Sequence, residues 1–223
     1  TEKNPEYYDY ANLGPDTIKY TLLDDANAML AAYKSGELQF IEQVPTDEIP
    51  NYLASGELQI SDYIGTYYVC FNTEDEVFSD PNIRKAFSLV IDRNYIVENV
   101  SQAGEVPADG YVPNGVNDAA GAGSDDFRTV GGSYYSISDE DYEANCEEAR
   151  QLLADAGYPN GEGFPTVEYL YNTADNHKKI GEALQNMWQT ELGVTVNLNN
   201  QDWNVFLQNR KEGNYQISRN GWI

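Results

Sequence analysis

The sequence predicts an α/β protein, and three stretches carry that expectation. From Leu170 to Ile223 the chain reads as one continuous βαβαβ unit that ends in mid-strand. Ahead of it, helix-forming runs closed by glycine alternate with short β-prone runs between Thr17 and Asp62. Between these regions lies Thr66-Tyr67-Tyr68-Val69-Cys70-Phe71-Asn72, an aromatic and β-branched run of the kind that fills a sheet interior.

Taken in order, Thr17 to Leu23 alternates like a strand, and Ala26 to Lys34 is rich in helix formers before Gly36 ends the helix. A second strand is expected at Glu37 to Ile41. Pro45-Thr46-Asp47-Glu48 offers a capped start for a short helix that ends near Gly56, followed by a strand from Glu57 to Asp62. Ser35-Gly36-Glu37-Leu38-Gln39 recurs as Ser55-Gly56-Glu57-Leu58-Gln59, which reads as two similar helix-to-strand turns. Two copies do not make a repeat protein.

After the Thr66 strand, Ser79 or Asp80 caps a helix with Pro81 near its first position, where the missing N–H costs nothing. Ile83, Phe87, Val90, Ile91, Asn94 and Val97 fall near one face of it, with Arg84, Lys85 and Arg93 mainly elsewhere. Gly104 to Gly132 holds seven glycines and two prolines and reads as a long irregular connection. Ser138-Asp139-Glu140-Asp141 opens the next helix, in which Tyr142, Cys146, Ala149, Leu152, Leu153 and Ala156 recur at helical spacing before Gly157. Asp139 and Asp141 suit the positive end of the helix dipole, and the loop glycine and bidentate acid of an EF-hand are missing. In the terminal unit, Leu170 to Lys179 leads into a helix. Glu191 to Leu198 follows as a strand, Gln201 to Leu207 as a turn into a second helix, and Ile217 to Ile223 as the last strand.

Composition bounds function. With 223 residues, 41% apolar and 22% charged, the chain can bury one or two cores. Its 37 acids against 13 bases give a net charge of −24, which repels a phosphate backbone, so nucleic acid is not expected as a partner. Such a charge keeps a protein soluble. No apolar stretch approaches the ~20 residues that span a bilayer, and the first residues carry neither a signal peptide nor a lipobox. Cys70 and Cys146 read as buried thiols, although the count also permits one disulfide. They and the single His177 lack zinc-site spacing, and neither a metal nor a cofactor is expected.

Catalysis is not expected either. Paired carboxylates are arithmetically available among 37 acids, but no motif singles out a pair. The chain has no Gly-x-Ser-x-Gly elbow, no phosphate-binding glycine loop and no His-Glu-x-x-His. A hydrolase stays as the weakest alternative to a binding function.

Three segments carry a family resemblance. They are Phe78-Ser79-Asp80-Pro81-Asn82-Ile83-Arg84-Lys85-Ala86-Phe87-Ser88-Leu89-Val90-Ile91-Asp92-Arg93, the stretch Glu147 to Gly161, and the terminal unit. The early Asn4-Pro5-Glu6-Tyr7-Tyr8 adds to them. Their order and spacing resemble the extracellular solute-binding proteins of family 5, and in particular the oligopeptide-binding proteins of ABC importers. The resemblance implies a type II periplasmic-binding-protein fold, two α/β lobes enclosing a ligand, with this chain an incomplete two-lobe fragment. Residues 1–64 would be the later portion of the first lobe, and residues 65–223 most of the second, truncated at the ligand-facing strand.

It also implies a site. A peptide bound regardless of sequence is held through its backbone and charged ends. By resemblance, Gly221 and Ile223 belong to the strand that pairs with the peptide main chain. Arg219 and His177 match positions that serve the peptide carboxylate, with Arg210 a weaker candidate. Trp203 and Trp222 match aromatic pocket walls, and Tyr68 is a weaker one. Taken alone, Arg219 would read as an exposed strand charge, His177 as a helix-start surface residue and Trp203 as core packing. The implied partners are short peptides and, through an ABC permease, its ATPase. The implied state is a monomer on the extracellular side of the cytoplasmic membrane, periplasmic or lipid-anchored. Other ligands within the family would be an oligosaccharide, a nickel complex or haem; the His177, Arg219 and Trp222 set favours peptides, because a neutral sugar has no use for a carboxylate-holding cation.

Overall fold

Local chemistry sets the helix ends in the computed structural model, which describes residues 1–223. Asp25 starts α1 (Ala26–Lys34) by accepting the Ala28 N–H at 2.7 Å. Glu48 precedes α2 (Ile49–Ser55), which carries Pro50 in its first turn. The two Ser-Gly-Glu-Leu-Gln copies form the same turn. Gly36 and Gly56 take the left-handed conformation (φ 80° and 78°), and the N–H groups of Leu38 and Leu58 return to the carbonyls of Ala32 and Tyr52.

Two compact units follow, Thr1–Val44 and Pro45–Ile223. In the first, the amino terminus is tied down by an isolated bridge between Glu2 and Thr17, and by the Lys3–Asp16 ion pair at 3.1 Å. The strands expected at Thr17 to Leu23, Glu37 to Ile41 and Glu57 to Asp62 do not form. A strand exists only through a neighbour's hydrogen bonds, and apart from the single Glu2–Thr17 bridge these three segments join no ladder.

The second unit is built on β1 (Thr66–Phe71). Asp80 then caps α3 (Pro81–Leu89) by accepting the Asn82 N–H at 2.8 Å. The single apolar-faced helix expected through Val97 is broken. Asp92 accepts the Tyr95 N–H and starts a new short helix, α4 (Arg93–Tyr95), which runs into a π-helical turn at Ile96–Ser101. Arg93 seals the break by donating to the Ser88 and Ile91 carbonyls. Capping chemistry thus overrides the apolar stripe. The long connection is irregular except for an Asn117–Asp126 bridge and α5 (Phe127–Gly131).

Ser138 caps a 3-10 turn at Asp139–Asp141, which leads into α6 (Tyr142–Asp155). Then come β2 (Val167–Asn172), α7 (Asp175–Leu192), β3 (Val196–Gln201), α8 (Trp203–Glu212) and β4 (Ile217–Trp222). Glu191 and Leu192, expected in the strand, form the last turn of α7, because Gly193 at φ 69° is the residue that ends it. Both cysteines are free; Cys146 is fully buried, and burial raises its thiol to about 11.

The sheet order is β1-β4-β2-β3, with β1 antiparallel to β4 and the other pairs parallel. Val167, Tyr169 and Tyr171 of β2 join Phe87 of α3, Leu153 of α6 and Trp188 of α7 in one core. Leu170, of opposite parity, and Phe206 of α8 are buried outside that cluster. Right-handed crossovers account for this: β2 to β3 and β3 to β4 move in opposite directions, so their helices cover opposite faces.

Gly161 and Gly193 lock the α6–β2 connection to the end of α7. A Cβ on Gly161 (φ 77°) would lie 2.5 Å from the Gly193 oxygen and 2.6 Å from that of Leu192, whereas one on Gly213 (φ 76°) would meet nothing. Gly213→Ala is therefore expected to cost about 1–2 kcal/mol from backbone strain alone. Gly161→Ala should cost about 2–4 kcal/mol, with both read from urea denaturation midpoints.

Candidate functional site

The carboxyl ends of β2 and β4 and the first turn of α7 converge on one patch, the end of a parallel sheet where α/β proteins bind ligands. Arg219 lies on β4, opposite Val69 of β1. One guanidinium nitrogen donates to Asn172 Oδ1 at 3.2 Å, and the group sits 5.1 Å over the Tyr67 ring. Tyr67 reaches the other way, its hydroxyl 3.4 Å from His177 Nδ1 and its ring 5.6 Å from the imidazole.

Arg219 makes no salt bridge in a protein with 37 acids. Its Nε is buried without a hydrogen-bond partner, as are the hydroxyl of Tyr169 and Oδ1 of Asn176. A partly buried cation without a counter-ion is costly, and a fold held together by its own contacts would have supplied one. Burial first, and the Arg219 charge second, lower His177 to about 4. The imidazole is neutral at neutral pH, so the positive charge of this patch is that of Arg219. Burial raises the phenols of Tyr67 and Tyr169, with Arg219 opposing in both, and both remain protonated donors.

The His177 shift has a pH consequence. The folded value of about 4 lies below the ordinary 6.5, so the unfolded chain takes up this proton first. The contribution is complete above pH 6.5 and is lost as pH falls toward 4. His177→Asn is expected to flatten the fall in stability over that window relative to the parent, as measured by urea midpoints at pH 4.5 and 7.

β4 has one open edge. Its β1 side is paired from Ile217 to Trp222, but β2 pairs only with Ile217 and Ser218. Beyond Ser218 no residue of β4 is paired on the side toward β2. Gly221 stands on this stretch, and an added Cβ there would have ordinary contacts only, the nearest being Arg219 at 3.6 Å. Trp222 and Ile223 follow it, 68% and 78% exposed.

The remaining residues singled out from the sequence lie apart. Trp203 opens α8 beyond the carboxyl end of β3, half exposed and stacked on Phe206. Tyr68 points away from His177 because strand neighbours alternate. It meets Tyr111 edge-on at 5.0 Å and feels the charge of Arg210, which sits over Phe206. Sequence reasoning missed Tyr67, Tyr169 and Asn172. The Tyr67-Tyr68 pair in a strand was the available signal, since one of the two must face each side.

The chain is similar to known proteins along its whole length. Residues 1–223 match the family described as bacterial extracellular solute-binding proteins, family 5 Middle. The oligopeptide-binding protein OppA of Bacillus subtilis is 33% identical over 226 residues, covering 100% of this chain and 40% of OppA. The periplasmic oligopeptide-binding protein OppA of Salmonella typhimurium is 33% identical over 229 residues, covering 99% and 39%. Among solved structures, a periplasmic oligopeptide-binding protein of Borrelia burgdorferi superposes with a TM-score of 0.82 at 30% identity, over 99% of this chain and 41% of that one. The chain thus spans about 40% of the length of the curated relatives it matches. With its whole length matched and its α/β fold shared with these proteins, the chain belongs to the extracellular solute-binding proteins of family 5.

Proposed function

We propose that this chain is part of the substrate-capture component of an ABC importer for oligopeptides, a non-catalytic protein that closes two lobes on an extended peptide. The observation that carries the proposal is the unpaired, partly buried Arg219 beside the open edge of β4. An extended peptide offers both complements, a main chain for the edge and a terminal carboxylate for the guanidinium. His177 and Tyr67 contribute neutral hydrogen bonds, and Gly221 with Ile223 the strand edge. Trp203 and Trp222 form exposed apolar walls, with Tyr68 and Arg210 as outer contacts. Residues 1–64 belong to the first lobe and residues 65–223 to the second. The protein works as a monomer on the extracellular side of the cytoplasmic membrane, periplasmic or lipid-anchored, and delivers peptide to a permease driven by an ATPase.

The test is the thermal stability of the intact protein with pooled tri- to pentapeptides, oligosaccharides, a nickel complex and haem. Peptide at a hundredfold excess over its dissociation constant should add about 3 kcal/mol. A shift with any other class, and none with peptides, would sink the assignment.

A further inference from the structure

The main chain of β4 alternates in direction. Asn72 N–H donates to the Gln216 carbonyl at 2.9 Å, so even-numbered residues from 216 onward turn their backbone groups toward β1 and odd-numbered ones toward β2. Gly221 therefore aims its N–H at the open edge. That donor is occupied: Oδ1 of the preceding Asn220 accepts it at 2.9 Å. Asn220 is only 8% exposed, so its carboxamide is held in place instead of swinging in solvent.

We propose that Asn220 is an internal competitor for the backbone site at Gly221, released only when a ligand carbonyl takes over the Gly221 N–H. The inference rests on the peptide-binding function proposed above. Asn220 mimics the acceptor that a paired ligand strand supplies, and so keeps the edge satisfied while the site is empty. It makes the site selective for ligands that bring a main-chain acceptor to that point. A ligand without one leaves Asn220 in place and forgoes strand pairing beyond it. The cost is that each binding event exchanges one neutral hydrogen bond for another.

Calorimetric titration of the intact protein with trialanine and tetraalanine tests this. Asn220→Ala should bind roughly fivefold more tightly than wild type, the worth of one neutral hydrogen bond no longer displaced. Asn220→Asp should bind more weakly, because a carboxylate holds the same N–H harder. Unchanged or weaker binding by Asn220→Ala, with wild-type binding intact, overturns the competitor alone. Should the wild-type protein bind neither peptide, the peptide function falls and the inference with it. Amide hydrogen exchange on the ligand-free wild type gives a readout independent of any variant's folding. Protection at Gly221 is expected, and free exchange there overturns the proposal.

Discussion

Trp188→Ala is expected to cost about 3–5 kcal/mol of folding stability, the largest effect of any single substitution considered for this fold. Trp188 is fully buried on α7 and touches two other elements of the core: its ring lies 5.4 Å from Phe87 of α3 and 5.9 Å from Tyr169 of β2, and its Nε1 donates to the Phe87 carbonyl at 2.9 Å. Truncation opens a cavity among side chains that are themselves held from several sides, so collapse into it is limited. It also leaves the carbonyl of Phe87 buried without that donor. Trp188→Phe should recover much of the packing but not the hydrogen bond. Trp203→Ala, at a residue 51% exposed, should stay within about 0.5 kcal/mol of wild type in the same urea titration. Equal losses for Trp188 and Trp203 would mean that the core has been placed wrongly.

Arg219→Ala should do the reverse, sparing the fold and removing ligand affinity. A structural salt-bridge arginine leaves its acid stranded when it is cut, but Arg219 has no acid to strand. The Asn172 side-chain oxygen loses one donor at 3.2 Å, a small penalty set against relief of an unpaired, partly buried charge. Binding of a free-acid peptide should weaken at least ~30-fold, the lower end of what losing a buried charged hydrogen-bond partner costs at an interface. A carboxyl-amidated peptide should bind wild type and variant more nearly alike, so the four affinities form a cycle that isolates the guanidinium–carboxylate coupling. Equal losses for acid and amide would place the carboxylate elsewhere.

The terminal βαβαβ unit was legible because its strands pair with one another inside the chain, and so its hydrophobic pattern and glycine stops had partners to act on. Thr17 to Leu23 has the same alternation, yet Tyr20 and Leu22 stand 72% and 94% exposed, because alternation describes a segment's readiness to pair and not the presence of a neighbour. The break after α3 was hidden for a different reason. Asp92 and Arg93 could be read as surface charge, and only the hydrogen bonds to Tyr95, Ser88 and Ile91 reveal them as a cap and a seal. In the site, residue types were readable but surroundings were not. Period two puts Tyr67 and Tyr68 on opposite faces without saying which face holds His177. The neutrality of His177 likewise follows from burial and from Arg219, 42 positions later in the chain, and no local pattern encodes it.

A crystal structure of the intact protein grown with a tetrapeptide tests the central claim most directly. The expected result is an extended peptide added to β4 on the side beyond Ser218, hydrogen-bonded to the main chain of Gly221, with its carboxylate on Arg219. A peptide bound away from this edge, with Arg219 still unpaired, would contradict the account.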